Sequence, residues 1–179
     1  DLPPALVRDL EPILAAEPVA ADLRQPPAGL AALHDVLCAH TPVTHTWLGP
    51  AWYFPDEIAP PADVVALTSA DGALFKDTFP WLATELDDRR PCLAVVRDGA
   101  AVSLCFSARL SPDVAEAGLE TIEAYRGRGY ATAVTAAWAI AVRQSGKIPL
   151  YSTSWDNLAS QAVARRLGLV LYGADCSII

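Results

Sequence analysis

The segment Arg126-Gly127-Arg128-Gly129-Tyr130-Ala131-Thr132 points most directly to chemistry, standing where an apolar strand gives way to a long Ala-rich helical stretch. The first amides of a helix have no intrahelical partner, and the helix dipole puts roughly half a positive charge beside them. Glycines there remove the side chains that would hold a ligand away. The combination suits a phosphate or pyrophosphate; it equally suits a tight turn that binds nothing. A dinucleotide fingerprint would need a third small residue where Thr132 stands, and an acid about 20 positions further on. Residues 146–154 offer no such acid. His34, Cys38, His40 and His45 are the other cluster of ligand-type residues. His34 and Cys38 are one helical turn apart, but His40 lies off that face and no closed four-ligand pattern exists, so no metal is expected.

The elements that must position the glycine turn follow from periodicity and punctuation. Leu6, Leu10 and Leu14 share one helix face, Gln25-Pro26-Pro27 breaks it, and Ala28–Ala39 forms a second helix with Leu30, Leu33 and Leu37 on one side. Thr46–Phe54 is aromatic and reads as a strand interrupted at Gly49-Pro50. The proline-rich stretch from Ile58 to Pro61 marks a boundary, giving a mainly helical N-terminal extension over residues 1–60 and a second unit over 61–179. In that unit Val64–Thr68 is a strand. A helix capped by Ser69 or Asp71 runs toward Leu86, and Pro80 kinks or divides it. Cys92–Arg97 and Ala100–Ala108 form a hairpin about Asp98-Gly99, a pair suited to a type I′ turn. Counting back from that turn pairs Cys92 with Cys105 as two small core thiols. Ala117–Glu123 is a strand, and the helix after Gly129 runs to about Gln144. Ile148–Thr153 is a strand whose Pro149 suits an edge. A helix capped by Asp156 or Asn157 ends at Gly168, and Leu169–Tyr172 begins a last strand with Tyr172 in its core. The mixture predicts an α/β fold with a mixed sheet.

Arg126-Gly127-Arg128-Gly129-Tyr130-Ala131 resembles the Gln/Arg-x-x-Gly-x-Gly/Ala signature of the GNAT superfamily of acyl-CoA-dependent N-acyltransferases. A second block stands at the right distance. Tyr151-Ser152-Thr153-Ser154-Trp155-Asp156-Asn157-Leu158-Ala159-Ser160, followed by Arg165-Arg166-Leu167-Gly168, is similar to that family's strand–Asn–helix–Gly segment. The resemblance covers about residues 62–179. It implies a GNAT-like fold with splayed central strands, residues 117–123 and 148–153. It implies acetyl-CoA as acyl donor: its pantetheine arm would lie along Thr121, Ile122 and Glu123, its pyrophosphate on amides from Gly127 to Thr132, and Asn157 would reach the arm. The acceptor it implies is an amine, on a small molecule or a peptide N-terminus, and relatives of this kind dimerise through sheet edges.

Direct attack of an amine on a thioester needs a proton acceptor, because a primary amine with a pKa near 10.4 is neutral only about once in 10³ at pH 7. An oxyanion also forms, which an amide near Thr121 could stabilise. Glu120 is the first candidate base and Glu116 the second, on one strand face; Glu123 lies on the other. Burial would have to raise such a carboxyl by some 2–3 pH units, and a solvated strand edge is the plain alternative. The superfamily's usual proton donor is a Tyr seven residues after the Asn; here that position is Ala164. The Asn157-x-x-Ser160 pattern resembles the branch containing ribosomal-protein N-terminal acetyltransferases, which makes Ser160 a candidate acid or thiol partner. Trp155 is a candidate for the acceptor pocket. Trp47, Trp52, Tyr53 and Phe54 either join it or pack the extension onto the core. The missing Tyr leaves open a non-catalytic acyl-CoA-binding module.

Composition bounds these readings. The chain has 179 residues, 53% hydrophobic and only 19% charged, which excludes general disorder. With 13 basic against 21 acidic residues the net charge is −8, against a nucleic-acid partner and weakly in favour of a cationic substrate. No apolar run reaches the roughly 18–20 residues of a membrane span. The N-terminus has neither the basic start nor the apolar core of a signal peptide, and the absent Met reads as processing or trimming. Four cysteines without a CxxC then suggest free thiols and a cytoplasmic setting.

Overall fold

The computed structural model describes residues 2–179. Two helices, α1 (Pro4–Ala15) and α2 (Leu30–His40), precede β1 (Thr46–Tyr53) and the two-residue β2 (Val65–Ala66). Two short helices follow, α3 (Gly72–Phe75) and α4 (Leu82–Glu85), then the hairpin β3 (Leu93–Arg97) and β4 (Ala100–Leu110). Next come β5 (Val114–Thr121), α5 (Tyr130–Gln144), β6 (Ile148–Ser152), α6 (Leu158–Arg166) and β7 (Val170–Ile178). The strands form one seven-stranded mixed sheet in the order β2-β3-β4-β5-β6-β1-β7. Only β5 and β6 run parallel; every other neighbouring pair is antiparallel.

The most consequential element is β1. It precedes residue 61, yet it lies inside the sheet between β6 and β7. Gly49-Pro50 does not interrupt it: Thr46–Tyr53 pairs with β7 throughout. The glycine is there because backbone crosses it. A Cβ at Gly49 would stand 1.7 Å from the Thr153 carbonyl oxygen and 2.7 Å from the Ser154 Cα. The chain leaving β6 is held there by bonds from Thr153 N to Pro50 O and from Trp155 N to Leu48 O, each 3.3 Å. Pro149 likewise occupies an interior strand rather than an edge. Ile148 N already bonds Asp113 O at 2.9 Å, and pairing with β1 begins only at Leu150, so the missing N–H costs no ladder bond.

The hairpin turn has positive φ at both central residues, 53° at Asp98 and 76° at Gly99, as a type I′ turn requires. A bulge then shifts the register between Val95 and Val96, so Cys105 faces Leu93 and not Cys92. The two thiols lie on opposite sheet faces, in different core clusters, and all four cysteines are free. Burial pushes the Cys92 thiol up to about 12.

One sheet face packs on α5. Its seam of Val134, Trp138, Ala139 and Val142 meets Val95, Cys105, Ala115 and Tyr151, with Trp52 and Phe54 from the β1 region. Trp138 is fully buried, and its indole N–H donates to Ser107 Oγ at 3.2 Å. The other face is covered over β3 and β4 by the α3–α4 region, through Phe75, Phe79, Leu82 and Leu86. The single helix expected there is divided at Pro80; Asp71 stands at the N-cap of α3, and its Oδ2 accepts from the Thr68 amide at 2.8 Å. Leu6, Leu10 and Leu33 of α1 and α2 pack together against Ile178, whereas Leu14 is exposed. Tyr172 is not a core residue. It is the extra residue of a bulge opposite Ala51 and Trp52, lies exposed on the outer strand and meets Tyr53, ring centroids 6.5 Å apart.

Candidate active site

β5 and β6 pair only at Val114, Ala115 and Glu116, against Ile148, Pro149 and Leu150. Beyond this rung β6 turns to β1, and β5 continues from Ala117 without a strand partner on that side. The sheet therefore opens in a V. The cause lies in the sequence on both sides: β6 has only five residues, and the chain leaving it is drawn across Gly49.

A cavity of about 710 Å³ lies along the free stretch of β5 and the N-terminus of α5. Glu120, Thr121, Ile122 and Glu123 line it, as do Arg126, Gly127, Gly129, Tyr130, Ala131 and Thr132. From the other side come Asn157, Ser160 and Arg166 of the α6 region. Gly127 and Gly129 have φ of 76° and 82°, and no atom lies within 4 Å of where either Cβ would stand. The backbone is thus bare at the start of a 15-residue helix. The Thr132 hydroxyl is buried at the same place with no partner. Arg128 points elsewhere: its guanidinium bonds Ala124 O at 3.2 Å and lies 5.1 Å from the Tyr125 ring centroid. Asn157 caps α6, its Oδ1 accepting from Ser160 N at 3.1 Å. Ala164 is buried in the core beside Tyr151 and lines neither cavity. The Tyr125 and Tyr130 hydroxyls are engaged with Asp98 and Arg97.

A second cavity, about 660 Å³, opens on the other side of the V. Glu116, Arg109, Ser152, Trp155, Trp47 and His45 line it. The boundary between the cavities runs along the same two segments. On β5, Glu116 and Ala117 face the second cavity and Leu119–Glu123 the first; after β6, residues 152–156 face the second and Asn157 and Ser160 the first. Glu116 and Glu120 share a strand face, as their spacing requires, yet the structure assigns them to different cavities. Glu120 is exposed, whereas the Glu116 side chain is 18% exposed.

Glu116 sits in a polar cluster. Arg109 Nη1 lies 3.1 Å from both Glu116 Oε2 and Asp175 Oδ2, and its Nη2 donates to Ser177 Oγ at 3.1 Å. Ser152 Oγ–H points at Glu116 Oε1 and lies 3.3 Å from Asp175 Oδ2. Burial pulls the Arg109 pKa down, but the charges of Glu116 and Asp175 outweigh it and hold the guanidinium above its ordinary value. Arg109, Ser152 and Asp175 are not prominent in the sequence; the available signal was an acid within the otherwise largely apolar last strand. Trp155 lines the second cavity with its indole N–H buried and without a partner, and Arg24 stacks over its ring at 4.3 Å. Trp47 joins that cavity, while Trp52 and Phe54 are core. His34 and Cys38 touch at 3.5 Å, but among the described residues no three metal-ligand side chains cluster, and no helix is long and apolar enough to cross a membrane.

Residues 92–174 match the family model described as GNAT acetyltransferase. Solved structures share the architecture. A GNAT-family acetyltransferase structure from Novosphingobium aromaticivorans superposes with TM-score 0.60 at 18% identity, over 76% of this chain and 65% of that one. A GCN5-related N-acetyltransferase-like protein from Streptococcus suis gives 0.57 at 18% identity, over 81% and 66%. A tandem GNAT protein from the clavulanic acid biosynthesis pathway gives 0.51 at 15% identity, over 90% and 62%. The chain spans about two-thirds or less of the length of each. No curated protein matches it in sequence. Residues 92–174 thus match the GNAT acetyltransferase model, and the mixed sheet has the fold of these acetyltransferase structures.

Proposed function

We propose that the protein transfers an acetyl group from acetyl-CoA to an amine, carried by a small molecule or a peptide N-terminus. The observation that carries this reading is the pair of cavities on the two sides of the open V, one at the bare glycine turn before α5 and one holding Glu116 with Arg109. The first cavity fits coenzyme A. Bare amides from Gly127 to Thr132 and the unpartnered Thr132 hydroxyl match pyrophosphate oxygens, and Arg126 and Arg166 supply cations. The free edge of β5 beyond Ala117 offers main-chain groups to the pantetheine amides, as an added strand would. When bound, acetyl-CoA supplies the activated acyl group.

On the acceptor side Glu116, rather than Glu120, takes the amine proton. It lies at the last rung of the paired strands, beside the opening, in the cavity an acceptor would enter. Ser152 and Arg109 fix its two oxygens. Ser160 lines the donor cavity, which supports it as the hydroxyl that meets the departing thiolate. A non-catalytic acyl-CoA-binding module is the second reading, favoured by Ala164, which puts a buried methyl where the resemblance implies a tyrosine proton donor.

Calorimetric titration with acetyl-CoA and CoA, followed by thiol release across a panel of amines, tests both. Binding with amine-dependent release supports the transferase. Binding with no release on any amine supports the module. No binding overturns the assignment of the glycine turn.

A further inference from the structure

The cluster at the acceptor cavity sets two carboxylates against one guanidinium. Glu116 and Asp175 are sheltered, with side chains 18% and 25% exposed, and one guanidinium serves both. Each carboxylate accepts from the same Arg109 nitrogen. Ser152 has one hydroxyl hydrogen, directed at Glu116 and also within reach of Asp175, and it can satisfy only one of them. Two sheltered negative charges against one positive charge leave a place for a cationic group. Burial first, and then the charges of Glu116 and Asp175, raise the Tyr172 phenol; burial, then Asp175 and Glu17, raise the Cys176 thiol. The place is open. Glu116, Arg109 and Ser152 line the acceptor cavity and also an adjoining hollow of about 200 Å³ to which Asp175, Tyr172 and Ala51 belong.

We infer that Asp175 is a specificity-determining residue which, with Glu116, receives the ammonium of a cationic amine acceptor. The inference rests on the acetyltransferase reading and narrows it. Arg109 bridges the two carboxylates as a shared counter-ion, and the acceptor's ammonium supplies the second positive charge. An acceptor with a carboxylate next to its amine would add a third negative charge to the cluster, so diamines and other cationic amines are favoured over acidic amino acids.

The test compares the wild-type protein with Asp175→Asn and Asp175→Glu. Acceptors are 1,4-diaminobutane, glutamate and aniline, the last neutral at pH 7.5. Acetyl-CoA affinity is followed separately by calorimetry, and diaminobutane binding to the CoA-saturated protein is measured without turnover. Wild-type protein should bind diaminobutane and use it in preference to glutamate. Asp175→Asn should raise its KM about 10- to 100-fold, the cost of a lost charged hydrogen bond. Aniline should be affected at least tenfold less, acetyl-CoA affinity should hold, and Asp175→Glu should restore part of the loss. Equal loss for aniline and diaminobutane overturns the inference, as does a wild-type preference for glutamate, a readout that needs no variant to fold. Acetyl-CoA binding without diaminobutane binding also overturns it. Failure to bind acetyl-CoA refutes the underlying reading instead.

Discussion

Gly49→Ala probes how β1 builds the acceptor side of the site. The added Cβ would meet the Thr153 carbonyl oxygen at 1.7 Å, some 1.3 Å inside the 3.0 Å limit of real Cβ contacts. All three atoms it meets belong to backbone, so no rotamer change relieves the clash. Residues 153–155 must lift away, breaking the bonds to Pro50 O and Leu48 O. Two backbone hydrogen bonds at about 1 kcal/mol each and overpacking of about 1–3 kcal/mol give a loss of roughly 3–5 kcal/mol. For a domain of this size that lowers Tm by roughly 10 °C, at about 2–4 °C per kcal/mol. Gly173→Ala on the neighbouring strand is the control, since nothing lies within 4 Å of its Cβ position and a change within about 0.5 kcal/mol is expected. The displaced residues wall the acceptor cavity, and a misplacement of about 1 Å costs roughly 100-fold in turnover. On the proposed function, acceptor kinetics should therefore suffer, while acetyl-CoA affinity, assigned there to the turn before α5, should hold. Thermal unfolding and calorimetry check both parts. A Gly49→Ala protein that melts within 1 °C of wild type, with unchanged acceptor KM, would refute the close-approach argument.

Other outcomes follow from the same geometry. Glu116→Gln should lower kcat by about 10²–10⁴ with little change in acetyl-CoA affinity, as removal of a general base does, and Glu120→Gln should stay within a few fold; a reversed order in steady-state kinetics would return the base to Glu120. Ser107→Ala leaves the buried Trp138 indole N–H without its acceptor, so unfolding by urea should show a loss of about 1–3 kcal/mol with acceptor KM unaltered.

Much of the fold was legible along the chain because its signals are local. Asp98-Gly99 demanded two positive φ angles and formed the predicted turn. The Ala-rich stretch after Gly129 became α5. The two glycines with an arginine and a threonine beside them pointed to the N-terminus of α5, where a cavity lies, since a helix N-terminus carries its own amides wherever it is put. Local counting failed where strands come together. The bulge opposite Val95 and Val96 moved Cys105 out of register with Cys92, a one-residue slip that the turn type alone cannot reveal.

What only the tertiary structure decided was the surroundings of Glu116. Along the sequence Gly49-Pro50 reads as a break, because both residues weaken strands taken in isolation. In the sheet they are the point where the chain leaving β6 crosses β1, and the crossing helps hold the V open. Glu116 and Glu120 are equivalent by spacing and were separated only by where the V begins. Asp175 lies 59 residues beyond Glu116 in the sequence; β1, inserted between β6 and β7, brings the two acids to one arginine. Period and capping are properties of neighbours along the chain. A shared counter-ion is a property of strands adjacent in space, and strand order is chosen by the packing of the whole sheet.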